Sequence, residues 1–305
     1  MNYIGFSELN RFASSPENQK DTVDYLAENM SLFLRPHENA LICFPCEEPD
    51  SIGYLLKQAV ILAEGIPVVW EPDQRWKTLL RLAFTSRASA ILAPPMVALG
   101  LTKLAKHTGT PLSIRSVMTA GYPCFDWMID GIRRGLDCDS WGCFGPGSGS
   151  VVSGFSCGKS RGVHIRDDMF VFDIEDQSGN RLEEGNIGNI VLSVKKHPQM
   201  RFRAPEYGRL DTSACPCGCS SPRLMDIGPG QEVDKSMEEL GQRLMYWSSV
   251  LDCSLKQGEY GLEMELVVFP GQQLPKLPSC ARRIIRQWEP DRDCPMGLTP
   301  DWLKF

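Results

Sequence analysis

Between residues 38 and 142 the chain alternates short, β-rich apolar runs with longer segments whose apolar positions recur every three or four residues. The short runs are Ala40 to Phe44, Ile66 to Trp70, Ala88 to Leu92 and Ser113 to Thr119. Between and after them lie Ser51 to Glu64, Trp76 to Phe84, Pro95 to His107 and Phe125 to Leu136, which carry the helical period. In the first of these, Ile52, Leu55, Leu56, Ala59, Val60 and Ala63 fall on one face. Pro95 opens a helix and Gly109 follows its end, as helix start and stop signals require. Strands joined by helical crossovers of this length run parallel and are covered on both faces, so the stretch predicts an α/β fold built on a mostly parallel sheet with flanking helices.

The pattern changes after Gly142. Residues 145–162 hold six glycines and five serines, which predicts a loop. Met169 to Ile174, Gly188 to Ser193 and Met200 to Arg203 then read as strands, separated by turns at Asp176 to Asn180 and Glu183 to Asn186. An antiparallel β subdomain over residues 143–225 is expected. Residues 226–236 read as a linker, followed by a helix from about Met237 to Leu251 and a strand from Gly261 to Phe269. The remainder is rich in proline, with Pro270, Pro275, Pro278, Pro290, Pro295 and Pro300. The expected organisation is a first domain over 1–225, with its α/β part at 38–142, and a small α+β C-terminal cap over 226–305.

Charge and composition narrow the function classes. The 305 residues include 32 Lys plus Arg against 38 Asp plus Glu, a formal net charge of −6. Such a balance lacks the basic footprint of a nucleic-acid binder or of a protein attracted to an anionic membrane. No apolar run approaches the ~18–20 residues of a membrane span, and the N-terminus lacks the apolar core of a signal peptide. The expectation is a cytoplasmic protein, in which most of the 12 cysteines are reduced thiols and any close cluster is a metal candidate.

Cys157 and His164 form one pair of soft ligands, and Cys215, Cys217 and Cys219 form a second, distant group. Two ligands from each of two loops is how structural zinc staples β-rich segments, since thiolate and imidazole suit tetrahedral Zn²⁺. Cys157, His164, Cys215 and Cys217 make a complete Cys₃His set, with Gly218 relaxing the backbone where the thiols converge. Cys219 stands as the alternative to Cys217. The competing reading is a lone Cys157 thiol, an ordinary polar His164 and a small redox or packing cluster at 215–219. A closed shell of four protein ligands leaves no position for water, so such an ion stabilises without catalysing. Cys124, after Pro123 at a helix start, has no histidine near it in sequence and reads as a structural cysteine. His37, His107 and His197 form no recognisable pair.

Read in order, several short motifs resemble the phenylacetate-CoA ligase branch of the adenylate-forming enzymes, which includes coenzyme F390 synthetase-like proteins. They are Gly121-Tyr122-Pro123, in the place of Gly-Ala-Glu-Pro; Asp139-Ser140-Trp141-Gly142, in the place of Asp-x-Tyr-Gly; and Cys157 with Gly162-Val163-His164-Ile165. Gly185 to Val191, Arg201 to Glu206 and Cys215-Pro216-Cys217-Gly218 follow, so that the set spans about residues 38–225. The resemblance implies ATP-dependent activation of a carboxylic acid to an acyl-adenylate and transfer to coenzyme A. It places Ala120, Gly121 and Tyr122 along an adenine and acyl pocket, Trp141 and Gly142 against the adenine, Glu206 at the ribose hydroxyls and Arg209 within reach of phosphate or ribose. On the residues alone, Trp141 reads equally as core packing and Glu206 as a solvated carboxylate. ATP or AMP, coenzyme A and structural zinc are the cofactors implied.

The departures from that family bear on activity. The glycine- and Ser/Thr-rich loop that cradles the triphosphate is missing, and residues 1–38 resemble the segment that follows it. Cys143, Phe144 and Gly145 stand where relatives place a hydroxyl residue and a Mg²⁺-binding glutamate, and no carboxylate lies between Asp139 and Asp167. Mg²⁺ demands oxygen ligands. The hinge basic residue is replaced in Gly228-Pro229-Gly230-Gln231-Glu232. The C-terminal segment is short for the mobile cap that carries a catalytic lysine, for which Lys276 is the nearest candidate. No catalytic residue is assigned. The expectation is a ligase-like protein whose activity is lost or depends on a partner; the alternative is a non-catalytic, zinc-stabilised protein that binds an acyl group, a nucleotide, or a protein such as a second copy of itself.

Overall fold

The strands of the parallel half of the sheet alternate their faces. β1 (Asn39–Ile42), β2 (Ile66–Val69), β3 (Ala90–Ala93), β4 (Ser116–Ala120) and β5 (Asp139–Phe144) pair in parallel in the order β2-β1-β3-β4-β5. Leu41, Ile91 and Val117 point to one side, where they share a core with α4 (Trp76–Thr85), α5 (Pro95–Thr108) and α6 (Asp126–Leu136). Ala40, Ile42, Leu92 and Met118 point to the other, onto α2 (Pro16–Met30) and α3 (Ile52–Leu62). This period of two, with both faces apolar, is what a doubly covered parallel sheet imposes. The computed structural model describes residues 3–71, 74–121, 126–146, 151–229, 240–241, 244–258, 261–274 and 282–295.

Local chemistry sets the helix ends. The Ser15 and Ser51 side chains accept from the backbone N–H groups of Asn18 and Tyr54, capping α2 and α3. α5 stops at Gly109, whose φ of +65° is the left-handed conformation that ends helices at little cost in glycine. Where α4 crosses α5, Gly100 admits the Trp76 ring; a Cβ there would lie 2.2 Å from it. Edge strand β2 directs Ile66 N–H and Trp70 N–H at the Glu38 and Ile42 carbonyls of the β1 side. Pro67 therefore faces outward, with no N–H to offer.

The antiparallel part is not a separate sheet. β5 pairs antiparallel with β6 (Gly154–Phe155), which pairs with β7 (Val163–Ile165). The sheet continues through β11 (Arg223–Pro229), β10 (His197–Asp211) and β9 (Gly188–Val194) to β8 (Phe170–Glu175), giving eleven strands among the described residues. Its far half has its own core of Phe170, Phe172, Ile190, Leu192 and Phe202, onto which Leu9 of α1 (Phe6–Ala13) packs. Arg166 ties this half to α2, donating to the Thr22 hydroxyl and the Asp21 carbonyl and lying 4.8 Å from the centre of the Tyr25 ring.

Three expectations are corrected. Residues 154–155 form a strand inside the glycine-rich stretch, because pairing with β5 stabilises what composition alone reads as loop. Residues 226–229 belong to β11, paired with β10 up to Glu206 and Pro229, rather than to a linker. The C-terminal helix ends before a turn at 247–249, and Val250 and Leu251 begin β12 (Val250–Gly258). β12 pairs with β13 (Gly261–Val268), and β13 with β14 (Arg282–Gln287), which lies in the proline-rich stretch, making a separate three-stranded sheet. Among the described residues no helix is long and apolar enough to cross a membrane.

Candidate metal centre

β7 lies between β6 and β11, and this adjacency brings the two cysteine-bearing loops together. His164 on β7 is opposite Phe155 on one side and Arg223 on the other. Cys157 follows β6, and Cys215 and Cys217 lie in the connection from β10 to β11. The ligand atoms of Cys157, His164, Cys215 and Cys217 all fall within 4.8 Å of one another. Cys157 Sγ is 3.7 Å from Cys215 Sγ, and Cys217 Sγ is 3.3 Å from His164 Nε2. With Zn–S of about 2.3 Å and Zn–N of about 2.0 Å, a tetrahedron has edges of roughly 3.5–3.8 Å. The sequence-derived set is therefore gathered around one point, with two of its edges close to those of a tetrahedral ion and all of them within 4.8 Å.

The surroundings prepare these atoms. His164 Nδ1–H donates to the Ser221 carbonyl at 2.9 Å, which leaves the Nε2 lone pair directed at the thiols. Ser160 Oγ lies 3.0 Å from Cys215 Sγ and 3.6 Å from Cys157 Sγ. The Cys219 N–H donates to Cys217 Sγ at 3.4 Å. Gly218, at φ +86°, turns the chain between Cys217 and Cys219. Cys219 thus enters through its backbone, and its own thiol is outside the set of four. Ser160 was not singled out from sequence; a hydroxyl three residues after a candidate ligand was the available signal.

The thiols titrate unequally. A hydrogen bond from the Ser160 hydroxyl, aided by Cys217 and His164 and opposed by burial, brings Cys215 down to about 6. Burial would raise Cys157, but the backbone N–H groups of Lys159 and Ser160, with Ser160 and His164 side chains, outweigh it and lower its pKa. Cys217 moves the other way. The Cys219 N–H favours its thiolate, yet burial and the neighbouring Cys215 and Cys157 push it up to about 11. Burial disfavours the charged form of His164, but the Ser221 carbonyl and the two thiols raise its pKa overall. Adjacent negative charges oppose full deprotonation, and a divalent cation at their centre would reverse that balance.

The remaining sequence candidates are distributed along the same sheet. Gly121 follows β4 at φ +83°, and Gly142 sits on β5 opposite Thr119. Gly142 N–H donates to Ser156 Oγ at 2.7 Å. Trp141 stacks on Phe33, with centroids 5.7 Å apart, and a Cβ on Gly158 would come within 2.7 Å of its ring. Its indole N–H is buried with no hydrogen-bond partner among the described residues. Trp141 therefore joins the core of the α2–α3 side to the metal loop. Glu206 on β10 is 1% exposed, and Arg209 on the same strand pairs with Asp226 at 2.5 Å. Ala120 is buried at the end of β4. Tyr122, Cys124 and Lys276 lie outside the described residues.

No family model matches the sequence, and no curated protein matches it. Solved structures do resemble the fold. A 2-hydroxyisobutyryl-CoA ligase in the postadenylation state, in complex with R3-HIB-AMP, superposes with a TM-score of 0.72 at 11% identity, over 93% of this chain and 69% of the ligase. The same ligase with 2-HIB-AMP and CoA in the thioesterification state gives 0.65 at 13% identity, over 90% of this chain and 70% of the ligase. The amide bond synthetase McbA from Marinactinospora thermotolerans gives 0.55 at 15% identity, over 88% of this chain and 62% of the synthetase. The chain thus shares its fold with this acyl-CoA ligase and this amide bond synthetase.

Proposed function

We propose that this chain is a ligase-like relative of the phenylacetate-CoA ligase branch that keeps a zinc-stapled scaffold and a small-molecule cleft but does not by itself perform ATP-dependent ligation. The observation that carries the reading is the stretch after Trp141 and Gly142. It continues a β-strand of the superfamily fold, yet has no carboxylate before Asp167 to hold Mg²⁺. Arg209 is already paired with Asp226, which weakens its candidacy as a phosphate ligand. A preorganised group that stabilises developing charge is worth several kcal/mol of barrier, roughly 3–4 for one oxyanion-hole donor, so a stretch without the metal carboxylate gives up a large part of the catalytic advantage.

In this reading Zn²⁺ is held by Cys157, His164, Cys215 and Cys217, and its contribution is to fix the two loops. A closed Cys₃His shell has no open position and supplies no Lewis-acid chemistry to a substrate. The ligand of the cleft is a carboxylic acid, its adenylate, AMP or coenzyme A. What supports this class is the ordered motif set together with the nucleotide adducts and CoA bound by the structural relatives.

The test is a thermal-shift screen with AMP, Mg·ATP, coenzyme A and a panel of aryl and short-chain acids, run beside ATP–pyrophosphate exchange. A shift with AMP, CoA or an acid and no exchange is the expected result. Exchange at the rate of an ordinary ligase would overturn the non-catalytic reading, and silence in both assays would remove the cleft ligand altogether.

A further inference from the structure

We propose that the C-terminal sheet is a fixed layer docked on α4 and α5, clamped by the Lys103 ammonium, and does not reorient as a cap. Lys103 projects from α5, and its Nζ lies 2.5 Å from the Met245 carbonyl, 3.2 Å from that of Trp247 and 2.8 Å from that of Val250. These carbonyls belong to the helical turn at 244–246, the turn after it and the start of β12. The last carbonyls of a helix have no partner within it, and an ammonium offers three N–H donors in place of water. Burial draws the Lys103 pKa down to about 8, so at neutral pH it remains charged and able to serve all three acceptors.

Around this clamp the interface is apolar. Leu244, Met245, Val250, Leu251, Leu266 and Phe269 are each at most 2% exposed and belong to the same core as Leu79 of α4 and Leu101 and Leu104 of α5. Segments that separate during function bury polar, resolvable contacts, whereas a large hydrophobic interface holds units in one arrangement. Two further contacts flank Lys103 and oppose pivoting about it. At the start of α4 the Trp76 N–H donates to the Asp293 carbonyl at 3.0 Å. Asp293 is itself buried, its carboxylate accepting from Arg286 and from the Glu289 N–H. At the end of α5 the His107 ring stacks on Phe269, centroids 4.0 Å apart and 12° from parallel, with Trp288 edge-on to both. These contacts and the apolar interface together favour one orientation.

The docking stands apart from the ligand reading, because it concerns a surface away from the metal centre and is measured with and without ligand. Fluorophores carried by non-natural residues at exposed Glu28 and Gln287 would report the distance between the two units by single-molecule energy transfer. One narrow distance is expected, unchanged by AMP, by Mg·ATP with phenylacetate, or by coenzyme A. A second population, or a shift with any of these, would overturn the proposal whether or not the chain proves to be an enzyme. For the clamp itself, Lys103→Met is expected to speed amide exchange across β12 by at least about tenfold, as the loss of charge-assisted hydrogen bonds implies, with β1 and β3 unaffected. Lys103→Gln replaces it if the Met variant does not fold. Unchanged exchange in β12 would remove Lys103 from the assignment.

Discussion

Zinc removal is the perturbation whose size can be worked out. The four ligand atoms are gathered within 4.8 Å, and His164 is already oriented by Ser221, so little rearrangement separates the metal-free from the loaded loops. An ion that binds only the folded chain stabilises it by RT ln(1 + [L]/Kd), about 2.7 kcal/mol at a hundredfold excess over Kd and about 4.1 at a thousandfold. Unfolding entropy near 2.1 cal/mol/K per residue gives roughly 0.64 kcal/mol/K for a chain of this length. Chelation should therefore lower the melting temperature by about 4 °C in the first case and about 6 °C in the second. The assay is elemental analysis of the purified protein followed by calorimetry with and without a strong chelator. Cys215→Ser, Cys217→Ser and His164→Ala should each abolish stoichiometric metal and reproduce the chelated melting temperature. Cys219→Ser should leave both unchanged, since its contribution is a backbone N–H. A protein that purifies without metal and melts identically with added zinc would refute the reasoning, and equal loss in Cys219→Ser would refute the assignment of Cys217.

Gly158→Ala places a Cβ about 2.7 Å from the Trp141 ring at a φ of +68°, so it should destabilise by about 1–3 kcal/mol and weaken metal retention, measured by denaturant unfolding and chelator competition. Trp141 emission should change when metal is withdrawn, because Gly158 lies against its ring; an emission spectrum indifferent to chelation would separate the two. The acid limb of stability should carry a contribution from Glu38. Burial works against its charge, but the Arg35 N–H, the Arg115 guanidinium and Ser89 outweigh that and hold the carboxyl below its ordinary 4.5. A depressed folded-state pKa gives stability that is complete above 4.5 and disappears as pH falls through the lower value. The gap between wild type and Arg115→Met in urea denaturation should accordingly be widest above pH 4.5 and close in stronger acid; a gap independent of pH would show that the pair is not its source.

The first four parallel strands are legible as short apolar runs separated by crossovers of helical spacing, from Ala40 and Leu41 through Val117, whereas β5, which opens on Asp139 and Ser140, shows no such pattern. The Cys/His cluster is legible because soft side chains in two groups have few other uses in a chain of reduced thiols. What could not be read depends on pairing across distance. Gly154 and Phe155 become a strand only because Phe144 and Cys143 lie beside them. Asp226 to Pro229 looks like a turn in isolation, yet pairs with β10. The Arg282 to Gln287 run has no period of two and sits among prolines, so its register against Glu263 to Val268 left no local trace. Val250 and Leu251 satisfy helix and strand patterns equally until the Lys103 contacts and the turn at 247–249 decide between them.

An open sheet has two ends, and the β2 end of this one is sealed to newcomers by a single imino acid. With Ile66 and Trp70 turned inward, Pro67 confronts solvent where another chain would seek a hydrogen-bond donor. A visiting strand finds an interrupted ladder there, and the exposed Ile66 beside it cannot recruit a neighbour into a growing stack. Crowded, partly folded copies of the protein are thereby discouraged from zipping together along the margin where their most regular β-structure begins.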